Sequence, residues 1–72
     1  MLTLTRETVK NFLPATVEEI ELHFNIVKHS QHGYYRDMNL KSKLISILNG
    51  MLNRNEIRRK GNYFEPILVS KQ

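Results

Sequence analysis

The fold class of this 72-residue chain is decided by the stretch Glu56-Ile57-Arg58-Arg59-Lys60-Gly61-Asn62-Tyr63-Phe64-Glu65-Pro66-Ile67. Gly61-Asn62 separates two segments of alternating character, and glycine at the first position of a two-residue loop is typical of a type II′ hairpin turn. The pattern predicts an antiparallel hairpin in which Arg58 faces Glu65 and Ile57 faces Pro66. Proline cannot donate to a strand ladder, so Pro66 also predicts an edge position.

A third helix is predicted before the hairpin, from Leu40 to about Arg54, with Asn39 as its N-cap. At 100° per residue its apolar positions share one face: Leu40, Leu44, Ile47, Leu48, Met51 and Leu52. The opposite face has short polar side chains, one lysine and no acid, and consists of Ser42, Lys43, Ser46, Asn49, Gly50 and Asn53. We expect the first face to pack into the core and the second to face outward.

Two shorter helices are predicted upstream. The first runs from Thr5 to Leu13 and stops at Pro14, because the residue before a proline avoids helical geometry. The second begins at Thr16, which forms a capping box with Glu19. Its inward stripe is Ile20, Phe24 and Val27, while Leu22 and Ile26 are expected to point elsewhere; Glu18, Glu19 and Glu21 are interpreted as residues that favour a helix start. The predicted core is Phe12, Ile20, Phe24, Leu44, Leu48, Met51, Leu52 and Ile57.

Residues Lys28 to Met38 form a looser stretch between the second and third helices. His29-Ser30-Gln31-His32-Gly33 indicates a turn in which Gly33 is left-handed. The following Tyr34-Tyr35-Arg36 could stack on bases or follow a phosphate path. The same tyrosines could equally close the core beneath a loop. The sequence shows no internal repeat, low-complexity segment or linker.

The length favours a single domain spanning residues 1–72, and the three predicted helices followed by a hairpin make it a small α+β domain. The chain contains no cysteine, so a disulfide or thiolate metal site is excluded. No apolar run is long enough to span a bilayer, and residues 1–7 lack the basic-then-apolar order of a signal peptide. We therefore expect a cytoplasmic protein that does not act at a membrane.

Charge is distributed unevenly along the chain. The net charge is +4 and the isoelectric point about 9.7. Residues 1–27 sum to −2 and residues 28–72 to +6, counted from the lysines, arginines and acids in each part. A basic C-terminal part suits a polyanionic partner, although a solubilising surface would give the same count.

Signals for enzymatic chemistry are weak. The three glycines are scattered, so no phosphate-binding loop is present, and no serine lies in a nucleophile elbow. His23, His29 and His32 could in principle hold a metal, but histidines in a polar turn without cysteine or a nearby acid are more simply surface residues. The sequence predicts a non-enzyme without cofactor or metal.

The order helix, helix, longer helix, hairpin, together with the residues from Leu44 to Ile67, resembles the third helix and wing of a winged-helix domain. The resembling residues are Leu48, Met51 and Leu52, then Asn55-Glu56-Ile57-Arg58-Arg59, and then Gly61-Asn62-Tyr63-Phe64-Glu65-Pro66. The segment Pro14-Ala15-Thr16-Val17-Glu18-Glu19-Ile20 resembles the entry to the second helix. One departure is that about a dozen residues separate the second and third helices, where the family usually has a tight turn.

This resemblance implies duplex DNA binding, as a small regulator of transcription associated with the nucleoid. Short polar side chains on the third helix would enter the major groove and basic residues on the wing would contact phosphates. The expected DNA-binding residues are Lys41, Ser42, Lys43, Ser46, Asn49, Arg58, Arg59, Lys60, Asn62 and Tyr63. A chain this small is also expected to gain affinity by forming a homodimer.

The alternative is a protein-interaction winged helix, an adaptor or inhibitor that uses the same scaffold without nucleic acid. Its contact surface would then be Leu22, Ile26 and the Ile67-Leu68-Val69 end.

Overall fold

The computed structural model of the protein describes residues 3–67. Three helices and five short strands follow one another closely. Their order is α1 (Arg6–Phe12), β1 (Ala15–Thr16), α2 (Val17–His23), β2 (Val27–Ser30), β3 (Gly33–Arg36), α3 (Met38–Asn53), β4 (Ile57–Lys60) and β5 (Tyr63–Pro66). The chain is therefore an α+β protein with two small antiparallel sheets.

The first two helices begin where their capping residues predict. The Thr5 hydroxyl accepts from the Thr8 amide, and the Thr16 hydroxyl accepts from the Glu19 amide at 3.2 Å. The Glu19 carboxylate in turn accepts from the Thr16 amide at 2.9 Å, which completes the capping box. Both predictions are confirmed, but α2 ends at His23, so Val27 lies in β2 and not on the helix.

The third helix starts two residues earlier than predicted. Its N-cap is Asp37, whose carboxylate accepts from the amides of Asn39 and Leu40, both at 3.1 Å. Asn39 is therefore not the cap but lies in the first turn. An ionised carboxylate at this position also interacts favourably with the positive end of the helix dipole.

The predicted C-terminal hairpin, β4–β5, is confirmed in turn and register. Arg58 pairs with Glu65 and Ile57 with Pro66. Gly61 has φ +63°, and its successor Asn62 is not among the residues with positive φ, as a type II′ turn requires.

The prediction that Pro66 marks an edge strand is wrong. β5 is the middle strand of a three-stranded sheet, flanked by β4 and by β1, with Ala15 opposite Phe64. Pro66 is tolerated because Ile57–Pro66 is a pair without mutual hydrogen bonds. The proline nitrogen consequently faces the β1 side, beyond the end of that two-residue strand.

The stretch predicted to be loose contains a second hairpin, β2–β3, in which Val27 pairs with Arg36 and Ser30 with Gly33. Gly33 has φ +116°, so its expected positive φ is confirmed. The Ser30 hydroxyl lies 3.2 Å from the Gly33 carbonyl and stabilises the turn. A hairpin, not a tight turn, therefore joins α2 to α3.

The two hairpins belong to one helix–hairpin unit that occurs twice, thirty residues apart. Two residues after the last residue of α2 and of α3 lies an asparagine with positive φ, Asn25 at 59° and Asn55 at 60°. The backbone hydrogen bonds also recur thirty residues later. The amide of residue 26 bonds to the carbonyl of residue 21, as the amide of residue 56 bonds to that of residue 51. The amide of residue 37 bonds to the carbonyl of residue 26, as the amide of residue 67 bonds to that of residue 56. The two units share their backbone geometry but few side chains, so they are not a repeat of the sequence.

The core lies between the buried faces of the helices and the three-stranded sheet. Six of the eight predicted core residues are buried, while Phe12 and Leu52 are partly buried against them. Ile26 is fully buried, contrary to expectation, because the turn after α2 directs it inward. Val27 is buried as its place on the inward stripe predicted, and the other buried apolar residues absent from the predicted core are Leu4, Val9, Leu13, Ala15 and Phe64. No helix within residues 3–67 has the length and apolar character needed to cross a membrane.

Candidate nucleic-acid interface

The outer face of α3, defined as Ser42, Lys43, Ser46 and Asn49, is exposed as predicted. Within residues 3–67 none of these four side chains forms an ion pair or a hydrogen bond to another part of the protein, so their donors and acceptors point to solvent. Ile45, which the prediction omitted, lies among them with 46% of its surface exposed. The face therefore combines one cation, three short polar groups and one apolar group.

Lys41 is oriented away from this face. Its ammonium lies 2.8 Å from Oε2 of Glu21, and its side chain is only 20% exposed. Arg36 donates to the same oxygen from Nε at 3.0 Å. Glu21, Arg36 and Lys41 form what we call the ion cluster, which joins α2, the end of β3 and the first turn of α3.

Glu21 is the residue that the sequence interpretation misjudged. It was interpreted only as a residue that favours a helix start, but its side chain is 3% exposed and paired with two cations. A buried carboxylate is costly unless it is paired, and here two cations compensate it. Its hydrogen bond and its charge raise the pKa of the Arg36 guanidinium above its usual value. The cluster fixes the position of β2–β3 against both helices.

The basic residues of the C-terminal hairpin differ in the contacts that their side chains make. Arg58 is engaged with Glu65, with 2.6 Å between Nε and Oε2. Arg59 donates to the Gly61 carbonyl at 3.1 Å and lies over the Phe64 ring, which directs it along the hairpin. Lys60 is exposed next to the turn and has no carboxylate partner among the described residues. Asn62 and Tyr63 are also exposed, so the tip combines cations, an amide and an aromatic ring.

Ion pairing reduces the number of cations that a polyanion could use. Lys10, Arg36, Lys41, Arg54 and Arg58 each contact a carboxylate. The described cations of the basic part that form no such pair are Lys28, Lys43, Arg59 and Lys60. One of them lies on β2, one on α3 and two on β4, which concentrates free positive charge on the C-terminal hairpin and the outer face of α3.

The tyrosines of β3 do not close the core. Tyr34 is 60% and Tyr35 61% exposed, so the core-closing alternative is wrong. Tyr34 forms one wall of an open groove of about 210 Å³ between α2 and the hairpin, together with Leu22, Val27 and His29.

The histidines are not grouped as a metal site would require. The His23 ring stacks on Phe12 with 4.0 Å between centroids and 13° between planes. His29 and His32 lie on the first hairpin instead. Within residues 3–67 no set of three histidine, aspartate or glutamate side chains is placed to hold a metal ion.

Comparison of the chain with protein-family models, with curated proteins and with solved structures gave no match.

Proposed function

We propose that this protein is a small winged-helix domain that binds duplex DNA through the outer face of α3 and the C-terminal hairpin. The observation on which the proposal rests is that α3 contains no acidic residue. No Asp or Glu occurs from Met38 to Asn55, and the exposed side chains there are short, polar or basic. A merely solvated helix face of this length normally includes glutamates.

The order of elements supports the scaffold. The helices and the C-terminal hairpin follow one another in the order of the resembling domains, and β1, between the first two helices, pairs with β5, the return strand of that hairpin. The hairpin β2–β3 between the second and third helices is a departure from that order. It replaces the tight turn but leaves the outer face of α3 exposed.

The chemistry of the surface fits a duplex. Ser42, Ser46 and Asn49 are small enough for the helix backbone to approach base edges, and Ile45 offers an apolar contact for a thymine methyl group. Arg59 and Lys60 supply phosphate contacts at the wing. Lys41 we assign to the ion cluster and not to the DNA contact, because its ammonium is already bonded to Glu21.

The test is fluorescence anisotropy with a random-sequence duplex at several salt concentrations. Arg59→Gln together with Lys60→Gln should weaken binding to all sequences. It should also reduce the slope of log K against log salt by about 0.9 for each phosphate that the variant no longer neutralises. Ser46→Ala should instead change the preference between duplexes of different sequence.

The matched control removes the same charge elsewhere. Arg6→Gln together with Lys10→Gln neutralises α1, whose buried side packs against α3 away from its outer face. We expect this variant to keep the salt slope of the parent protein. Equal losses of affinity in the two double variants would mean that net charge alone drives binding, and undiminished binding by the Arg59/Lys60 variant would refute the proposed site.

Docking on a protein is the second candidate, and the exposed groove beside Tyr34 favours it. Leu22, 51% exposed, lines that groove, as the alternative expected. Ile26 cannot contribute because it is fully buried, and Leu68 and Val69 lie outside the described residues. A parent protein that fails to bind duplex DNA at low salt would favour this candidate.

A further inference from the structure

The strand edges of the two sheets differ in how well they are protected. Charged residues, prolines and very short strands normally prevent an exposed edge from pairing with another chain. In the three-stranded sheet, the edge strand β4 carries Arg58, Arg59 and Lys60, and the other edge strand, β1, has two residues and follows Pro14. In the two-stranded sheet, β2 carries Lys28. The fourth edge, β3, also carries one charge, Arg36, but this cation is bonded to Glu21, whereas Lys28 forms no ion pair among the described residues.

The free hydrogen-bonding groups of β3 can be assigned from the register. The Asp37 amide bonds to the Ile26 carbonyl at 2.7 Å. Since bonded and non-bonded pairs alternate in an antiparallel ladder, Lys28 and Tyr35 are a bonded pair. The amides and carbonyls of Tyr34 and Arg36 therefore point away from β2, and this sheet has no third strand among the described residues to receive them.

In the second hairpin a further strand, β1, lies along the edge that corresponds to the uncovered edge of the first hairpin. Thirty residues later, Phe64 and Pro66 occupy the positions of Tyr34 and Arg36, and there the outward edge faces β1. Phe64 is consequently 7% exposed, whereas Tyr34 is 60% exposed. Leu22, 51% exposed, lines the groove beside Tyr34 and leaves apolar surface next to this hairpin.

We propose that β3 pairs with β3 of a second copy of this chain, so that two hairpins join into one four-stranded antiparallel sheet. The strand is complementary to itself in one register. With Tyr35 opposite Tyr35 of the second copy, Tyr34 faces Arg36 on both sides of the two-fold axis. All the outward amides and carbonyls then find partners, and no two like charges are opposed.

Neighbouring registers are poorer. Placing Arg36 opposite Arg36 opposes two cations, and placing Tyr34 opposite Tyr34 leaves Arg36 beside the turn of the other copy. The chosen register also repeats across the interface a contact already present within the strand, where the Arg36 guanidinium lies 5.5 Å from the Tyr34 ring centroid. One strand pair buries less than a standard interface, so the dimer forms at high protein concentration, with a dissociation constant of about 1 μM or weaker.

A cysteine introduced at the two-fold axis tests the register directly, because the chain has no cysteine of its own. In a non-bonded antiparallel pair the Cα atoms are about 4.5 Å apart, within the range of about 4.4–6.8 Å that a disulfide spans. Tyr35→Cys should therefore form a covalent dimer under mild oxidation at least tenfold faster than Tyr63→Cys, an equally accessible site on the other hairpin.

A second variant tests the interface without a cross-link. Tyr34→Lys places a lysine opposite Arg36 of the second copy and should raise the dimer dissociation constant at least tenfold in sedimentation equilibrium, while Tyr34→Phe should leave it unchanged. Circular dichroism confirms that each variant folds. The proposal is overturned if the two cysteine variants cross-link at equal rates, or if the parent protein sediments as a monomer at about 1 mM. No DNA is present in these experiments, so their outcome is independent of the proposed function.

Discussion

Replacing the buried carboxylate of the ion cluster by an amide should be the most informative single substitution in this protein. Glu21→Gln preserves side-chain volume but removes the charge that Arg36 and Lys41 share, at 3.0 and 2.8 Å. Hydrogen bonds to charged groups contribute about 1.5–3 kcal/mol each. Both cations retain access to water, with 36% and 20% of their side chains exposed, and the amide oxygen still accepts one bond. We therefore expect a loss of about 2–3 kcal/mol in the free energy of unfolding.

That loss is a large part of the total. A chain of 72 residues has a free energy of unfolding of about 4–11 kcal/mol. The variant should remain folded at 25 °C, with its melting temperature lowered by about 8–24 °C. Urea denaturation followed by circular dichroism measures the change.

Glu56→Gln provides the matched control. Glu56 also contacts two cations, Arg54 and Lys10, but its side chain is 26% exposed and theirs are 52% and 41% exposed. Surface pairs of this kind contribute about 0–1 kcal/mol, so the control should lose less than about 1 kcal/mol. If the two variants lose equal stability, burial of Glu21 is not what makes the cluster important.

Two further predictions concern the core and the turns. Leu48→Ala should lower the free energy of unfolding, measured by urea denaturation, by about 2–5 kcal/mol because Leu48 is buried. Ile45→Ala on the exposed face should change it by no more than about 0.5 kcal/mol. Similar losses in the two variants would mean that α3 is rotated from the described orientation. Gly61→Ala should lower the free energy of unfolding by about 1–2 kcal/mol because of the positive φ alone, since a Cβ there meets no neighbour. Gly50→Ala should instead stabilise the helix by up to about 1 kcal/mol as the Arg54 side chain moves aside. A stabilising Gly61→Ala would contradict the turn geometry.

The C-terminal hairpin was predictable because its determinants are local. A glycine in a two-residue loop fixes the turn, and the turn fixes the pairing of Arg58 with Glu65. The position of Pro66 was not predictable in the same way. It depends on β1, a two-residue strand about fifty residues earlier, whose pairing leaves no periodic signal in the sequence.

The first hairpin was missed because most of what holds it is distant in sequence. β2 has little apolar alternation, and the turn predicted at residues 29–33 lacks the Asn-Gly or Gly-first loop that indicates a hairpin. Its anchor is the contact between Glu21 and Arg36, fifteen residues apart. One local signal was present, namely an asparagine two residues after the end of α2 and of α3, Asn25 and Asn55, followed by a strand.

The candidate site was predicted only in part for the same reason. Exposure of Ser42, Lys43, Ser46 and Asn49 follows from helical periodicity. The engagement of Lys41 does not, because it depends on Glu21, an acid twenty residues earlier in the chain.

Asp37 belongs to two elements at once, and this has a mechanical consequence. Its amide closes the first hairpin against Ile26, while its carboxylate caps α3 at Asn39 and Leu40. No linker separates the hairpin from the helix, so neither can shift without breaking bonds of the other. Anything that orders the hairpin thereby orders the start of α3, and such coupling is reciprocal in free energy. If a ligand on the helix changed the affinity of an association at the hairpin, that association would change the affinity for the ligand by the same factor.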